Sequence, residues 1–150
     1  MKVEKDFVEF IELLNKHKVK YLVVGAYALA YYAEPRNTGD IDFFVKNNRY
    51  NAKKIIQVLK EFGDLKISIN DFIKENNVVQ LGFPPVRIDL LTTLSGLNFN
   101  EAYKRKNEVK LGNQKVFFLA KESLITNKEA TGRKQDLADV EKLRKSYIIN

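Results

Sequence analysis

The chain has no cysteine and a single histidine, His17. The first absence removes disulfides and thiolate metal sites. The second removes any multi-histidine zinc centre built within this chain. No stretch approaches the roughly 20 consecutive apolar residues that cross a bilayer. The opening MKVEKDFVEF lacks the basic-then-apolar layout of a secretory leader, so a cytoplasmic protein without membrane contact is expected. Internal repeats, low-complexity segments and linkers are missing too, which points to one domain over residues 1–150. What is present is a globular balance, 45% hydrophobic and 30% charged, with enough chain to enclose one core. The formal net charge is +7, and lysine and arginine are dispersed rather than gathered in a tail. A positive surface favours polyanions such as RNA, DNA or nucleoside triphosphates, or an acidic protein partner; a merely solvated basic surface is the plain alternative.

The stretch YLVVGAYALAYYAEPRNTGDIDFFV, Tyr21 to Val45, organises the rest. Tyr21 to Val24 reads as an apolar strand, Gly25 as a turn, and Ala26 to Ala33 as a short helix. A strand that runs through glycine straight into a helix leaves backbone N–H groups free at the helix start, and these suit a phosphate. A loop with Pro35, Arg36 and Thr38 leads into a second strand. There Asp40 and Asp42, two residues apart, share one side while Ile41 and Phe43 face a core.

Around this unit the pattern predicts an amphipathic helix over Glu4 to Lys18, with Phe7, Val8, Phe10, Ile11, Leu13 and Leu14 on its apolar stripe. His17, at the end of that helix, reads as a surface or capping residue. A second helix spans Asn51 to Phe62 and stops at Gly63. A short helix or turn covers Ile69 to Glu75. Val78 to Phe83 and Val86 to Leu91 form a hairpin turning at Pro84 and Pro85. Its second strand puts Arg87, Asp89 and Leu91 on one side, so Asp89 is an acid embedded in an apolar strand. A helical turn lies near Asn100 to Arg105. Gly112-Asn113 marks a further hairpin between Glu108 to Leu111 and Lys115 to Phe118. Two helices close the chain, Lys121 to Ala130 ending at Gly132, then one from Lys134 with Leu137, Val140, Leu143 and Tyr147 on one face. The fold class expected is α+β, a mixed twisted sheet of about five strands with helices mainly on one side.

Asp40, Asp42 and Asp89 are the candidate metal ligands. Mg²⁺ takes hard oxygen ligands, usually a few carboxylates plus substrate phosphates. Two ions about 3.5–4 Å apart stabilise the attacking and leaving oxygens of an in-line displacement at phosphorus. The competing reading gives Asp40 a turn, Asp42 a solvated sheet edge, and Asp89 a partner in a lysine or Arg87.

These residues resemble the signature of the nucleotidyltransferase fold, the polymerase-beta-like superfamily. Its pattern is an apolar strand, Gly-Gly or Gly-Ser, a helix, an acid-apolar-acid strand, and a third acid on a later strand. The similarity is to small bacterial members of the abortive-infection and toxin–antitoxin type, through Arg36-Asn37-Thr38 before the acid pair, Lys128, and Gly132-Arg133-Lys134-Gln135-Asp136. The resemblance implies transfer of a nucleoside monophosphate from a triphosphate, ATP for instance, to an acceptor hydroxyl on RNA or a tRNA end, a protein or a small molecule. It implies a place in toxin–antitoxin or phage-defence systems. It further implies two Mg²⁺ ions (or Mn²⁺) at Asp40, Asp42 and Asp89, with Asp89 also helping to deprotonate the acceptor. The triphosphate would lie against Gly25, Ala26 and Thr38, its charge neutralised by Lys128 and Arg133. Ala26 departs from the pattern, removing a serine hydroxyl but keeping the backbone N–H. Local readings stay open beside this: Arg36 and Thr38 as loop structure, Lys128 as a solvated lysine, Asp136 and Asp139 as acids favourable to a helix start. Tyr27, Tyr31 and Tyr32 read as packing rather than base-stacking. A non-catalytic binding module of the same fold is the alternative, supported by Ala26 and opposed by the three acids.

Overall fold

A computed structural model describes residues 4–34, 39–63 and 65–146. The readings given above for Pro35, Arg36, Asn37, Thr38 and Tyr147 fall outside the described residues. Helix α1 (Lys5–Lys16) buries Phe7, Phe10, Ile11 and Leu14, the i, i+3, i+4, i+7 stripe of its sequence. Strand β1 (Tyr21–Val24) is buried at every position, runs directly into α2 (Gly25–Tyr32), and is followed by β2 (Asp40–Val45). Helix α3 (Arg49–Gly63) and a 3₁₀ turn (Ile69–Phe72) lead to the hairpin of β3 (Val78–Phe83) and β4 (Val86–Leu91). Short α4 (Phe99–Lys104) precedes a second hairpin, β5 (Asn107–Leu111) and β6 (Gln114–Phe118). Helices α5 (Lys121–Thr131) and α6 (Lys134–Lys145) close the chain as a packed pair.

The strands form one mixed sheet in the order β3-β4-β2-β1-β6-β5, six strands where about five were expected. Each hairpin is antiparallel, β1 pairs antiparallel with β2, and the β2–β4 and β1–β6 pairs are parallel. The interior strands are therefore β4, β2, β1 and β6, and both chemistry-bearing segments lie on the first three. On one face Phe10 of α1 packs on Phe43, with ring centroids 5.6 Å apart, and α3 lies beside α1. Phe44 points the other way and meets Phe99 of α4 at 5.0 Å, so that face is covered as well. Tyr27 and Tyr32 are buried in the core, which bears out packing as their role.

Two local devices hold β1 and β2 in place. Asn51, 2% exposed at the start of α3, accepts from the Lys20 backbone N–H at 2.8 Å. Its amide donates to the carbonyls of Lys20 (3.0 Å) and Lys46 (2.9 Å), pinning the start of β1 to the end of β2. At the other end of β2, Gly39 lies against the β3–β4 turn. A Cβ there would overlap the Pro85 backbone, and the Gly39 carbonyl accepts from Arg87 N–H at 3.0 Å. That close approach lets the two strands meet in register beside the acids.

Helix α6 departs from its expected face. Leu137 is half exposed, and the buried positions are Asp136, Asp139, Val140 and Leu143. The reason is electrostatic: both acids turn inward to Lys128 of α5, so the helix is set by its ion pairs as much as by its apolar residues. Of all these contacts, Asn51 gives the cleanest test. Asn51→Ala removes three hydrogen bonds, although the Lys20 carbonyl still accepts from the Lys46 N–H at 3.3 Å, and is expected to cost about 2 kcal/mol, measured as a lower urea midpoint at unchanged slope.

Candidate active site

Parallel pairing of β2 with β4 puts Asp42 opposite Asp89 and Asp40 opposite Arg87. Antiparallel pairing of β1 with β2 puts Val24 opposite Asp42, so the acid pair lies beside the residue where β1 becomes α2. Gly25 has φ +64, a conformation that side chains rarely adopt, and a Cβ on it would fall inside the Asp42 Oδ2 atom. The Asp42 carboxylate is therefore pressed against the first residue of a helix. No side chain caps that helix, and its first turn holds no acid. Glycine at 25 serves both the turn and the approach of the carboxylate.

Arg87 sits within the acids. Its Nη2 donates to Asp40 Oδ2 at 2.8 Å and to Asp89 Oδ2 at 3.0 Å, and its Nε donates to Asp89 Oδ1 at 2.9 Å. One guanidinium thus bridges two of the three carboxylates and holds Asp89 bidentately. Surrounding carboxylates raise the Arg87 pKa further, so its charge is secure. Asp42 has no such cationic partner among the described residues. Burial first, then the neighbouring Asp89 and Asp40, push its carboxyl up to about 7 against the partial relief of Arg87. Sequence reasoning named Arg87 only as an alternative partner for Asp89. Its bridge to Asp40 depends on the β2–β4 register, which no local pattern encodes.

The donor set can be tested against a divalent ion. Among the described residues no three acidic or imidazole side chains stand at ligating distance in this arrangement, as expected with the guanidinium between Asp40 and Asp89. Mg²⁺ needs only one or two carboxylates when water and phosphate oxygens complete its shell. Asp42 and Asp89, adjacent in register, fit that need. A carboxylate raised by its like-charged neighbours is one that a cation would relieve.

A family model described as "Nucleotidyltransferase of unknown function (DUF6036)" matches residues 5–149. The chain belongs to that family. No curated protein matches it in sequence. Solved structures share its fold at low identity. The lincosamide antibiotic adenylyltransferase LnuA is similar at 14% identity and TM-score 0.55, over 95% of this chain and 97% of that one. A putative nucleotidyltransferase from Thermotoga maritima is similar at 18% identity and TM-score 0.58, covering 93% and 88%. The antibiotic-resistance factor ANT(2'')-Ia is similar at 11% identity and TM-score 0.54, covering 93% and 79%.

In this nucleotidyltransferase the other residues read from the sequence are placed as follows. Gly25 and Ala26 open α2 beside Asp42, as described, while Thr38 lies outside the described residues. Lys128 and Arg133 belong to the α5–α6 hairpin. Lys128 Nζ lies 2.9 Å from Asp139 Oδ2 and 3.7 Å from Asp136 Oδ1, and is largely buried by them. Arg133 is exposed and donates from Nε to Asp136 Oδ2 at 2.8 Å. Arg133 first, then Thr131 and Lys128, hold the Asp136 carboxyl down to about 2. The hairpin packs on α2. Ser146 donates to the Tyr32 carbonyl and Lys142 pairs with Glu34, so the C-terminal ends of α6 and α2 lie together. With no cation in this arrangement directed at the aspartates from α5 or α6, Arg87 is, among the described residues, a positive group in contact with Asp40 and Asp89.

Two outcomes follow. The Asp42 carboxyl is raised from an unfolded value near 3.8, so its ionisation opposes folding: stability is full below about pH 4 and falls as pH rises toward 7. Asp42→Asn is therefore expected to stabilise the metal-free protein by about 2 kcal/mol at pH 7.5, with the gain vanishing near pH 4, in urea titrations across that range. Lys128→Met, by contrast, removes the ammonium that two buried carboxylates share and is expected to lower stability by about 3 kcal/mol at pH 7 in the same assay.

Proposed function

We propose that the protein transfers a nucleoside monophosphate from a nucleoside triphosphate to an acceptor hydroxyl at the cluster of Asp40, Asp42 and Asp89. The observation that carries this reading is the Asp42 carboxylate seated on Gly25 at an uncapped helix start. A backbone suited to phosphate and a carboxylate suited to a metal ion there lie against each other. A stable fold has no need of that arrangement, because burying like-charged acids opposes folding.

Backbone N–H groups of Gly25 and Ala26 bind the triphosphate and orient its α-phosphorus toward β2 and β4. Ala26 donates through its N–H as the serine of related sequences would, without the extra hydroxyl. Asp42 and Asp89, with Asp40 at the entrance of β2, would hold Mg²⁺. When bound, Mg²⁺ supplies Lewis-acid stabilisation of the charge on the reacting phosphate and the departing pyrophosphate. Arg87 keeps Asp40 and Asp89 aimed at the same place and limits their repulsion while the cluster waits for substrate. A carboxylate oxygen of the cluster receives the proton of the acceptor hydroxyl as its oxygen bonds to phosphorus. Thr38, Lys128 and Arg133 belong to this reading as triphosphate contacts. For the latter two this requires loosening from Asp136 and Asp139 when substrate binds. The net charge of +7 supports RNA as the acceptor over a neutral small molecule.

Incubation with each labelled triphosphate, Mg²⁺ and total cellular RNA or protein is expected to label the RNA pool, and Asp42→Asn to reduce label by at least about a thousandfold. Transfer by that variant at the parent rate would remove the carboxylate cluster from the reaction. Thermal melts give an independent check: a triphosphate with Mg²⁺ is expected to raise the parent's melting temperature but not that of Asp42→Asn.

A further inference from the structure

The opposite end of β1 carries a second site of different character. Gly25 and Asp42 stand at the C-terminal end of β1. At its N-terminal end, roughly 13 Å away along the strand, a cleft of about 740 Å³ opens between the end of α1, the start of α3, α4 and β6. Lys18, Lys20, Lys54 and Lys115 line it, together with the rings of Tyr50 and Tyr103, and no carboxylate does. Lys115 has Glu108 at 3.8 Å, but Lys18, Lys20 and Lys54 have no carboxylate partner among the described residues.

The cations are placed there against local preference. Helix α1 ends in a turn in which the Val19 N–H bonds the Leu14 carbonyl and the Lys18 N–H bonds the Asn15 carbonyl. Glycine ordinarily fills the position that Lys18 takes, with φ +57. Lys54 Nζ donates to the Lys18 carbonyl at 3.3 Å, drawing a second ammonium to the same corner. Tyr103 packs on Phe99 and Phe117 at the edge of the core, whereas Tyr50 stands out from it beside a cation. Tyr50 is 70% exposed with Lys54 Nζ 4.1 Å from its ring centroid. Tyr103 has Lys106 Nζ at 4.1 Å and Lys20 Nζ at 5.7 Å. Three ammonium groups, Lys18, Lys20 and Lys54, gathered without a carboxylate among the described residues beside a ring with a face open to solvent call for a ligand that is anionic and flat.

We infer that this cleft binds single-stranded nucleic acid, with the phosphates on Lys18, Lys20 and Lys54 and an unstacked base on Tyr50. A duplex keeps its bases stacked on one another and offers Tyr50 nothing. An acidic protein would satisfy the lysines but leave the ring exposed. Sequential phosphates and bases satisfy both at once. This site is separate from the transfer site and its occupancy does not require catalysis.

The test is fluorescence anisotropy with a labelled single-stranded oligouridylate about 12 nucleotides long, from about 50 to 200 mM salt. The parent is expected to bind with affinity falling steeply with salt. Tyr50→Ala is expected to weaken binding about tenfold. Replacing Lys18 and Lys54 together by Gln is expected to reduce the salt slope by about 1.4. Tyr50 and Lys18 are exposed and Lys54 is half-buried outside the core, so both variants should keep the parent's urea midpoint, and Tyr50→Ala should keep the triphosphate-induced rise in melting temperature. Parent-like binding by both variants would overturn the site. Displacement of the oligomer by uridine monophosphate at equal concentration would make it a mononucleotide pocket. Equal competition by polyglutamate or by the matching duplex would make it a general anion patch. Oligomer binding with no triphosphate effect on melting would sustain this inference while removing the proposed transfer reaction.

Discussion

The structure depends on a contact that works against folding: the Asp42 carboxylate lies on Gly25, desolvated, beside two acids of its own charge. Everything that makes the contact possible is backbone. The Val24–Asp42 pairing brings β2 to the end of β1, the left-handed conformation of Gly25 turns the chain into α2, and the missing Cβ leaves room for the carboxylate oxygen. The Asp42–Asp89 pairing then adds the third acid from β4. Arg87 keeps the arrangement tolerable by bridging Asp40 and Asp89 and leaves Asp42 raised in pKa. A core residue at 42 would cost the fold less. An acid kept there fits a site whose charge is completed only by substrate and metal.

The α5–α6 hairpin applies the same physics to the opposite end. Asp136 and Asp139 are buried too, yet they are surrounded by Lys128, Arg133, Thr131 and Gln135, and Asp136 is driven down rather than up. One acidic pair is satisfied and holds two helices together. The other is under-compensated and lies at a helix start. The direction of the pKa shift separates the two more clearly than sequence position does. It makes the second pair the better candidate for chemistry, and membership of a nucleotidyltransferase family agrees.

Much of this was legible in the chain. The alternation Asp-Ile-Asp-Phe fixes which side of β2 carries the acids, and Gly112-Asn113 marks its hairpin, because both signals are local. The glycine corner was legible as a strand-to-helix turn, though not as the seat of Asp42, since that needs the β1–β2 register. Arg87 bridging Asp40, Asn51 tying β1 to β2, and the inward turn of Asp136 and Asp139 with Leu137 left outside all depend on partners far along the chain. Periodicity reports an apolar face, and it misreads a helix whose buried face is built around ion pairs.

Manganese binding tests the central claim most directly, because Mn²⁺ replaces Mg²⁺ at oxygen sites and its electron paramagnetic resonance signal separates free from bound ion. With a non-hydrolysable triphosphate present, the parent is expected to take up Mn²⁺, and Asp89→Asn, which changes only the acid on β4, to bind it at least about tenfold more weakly. Uptake by Asp89→Asn as tight as the parent's would show that the acids of β2 and β4 do not share an ion, and the account of this cluster would be wrong.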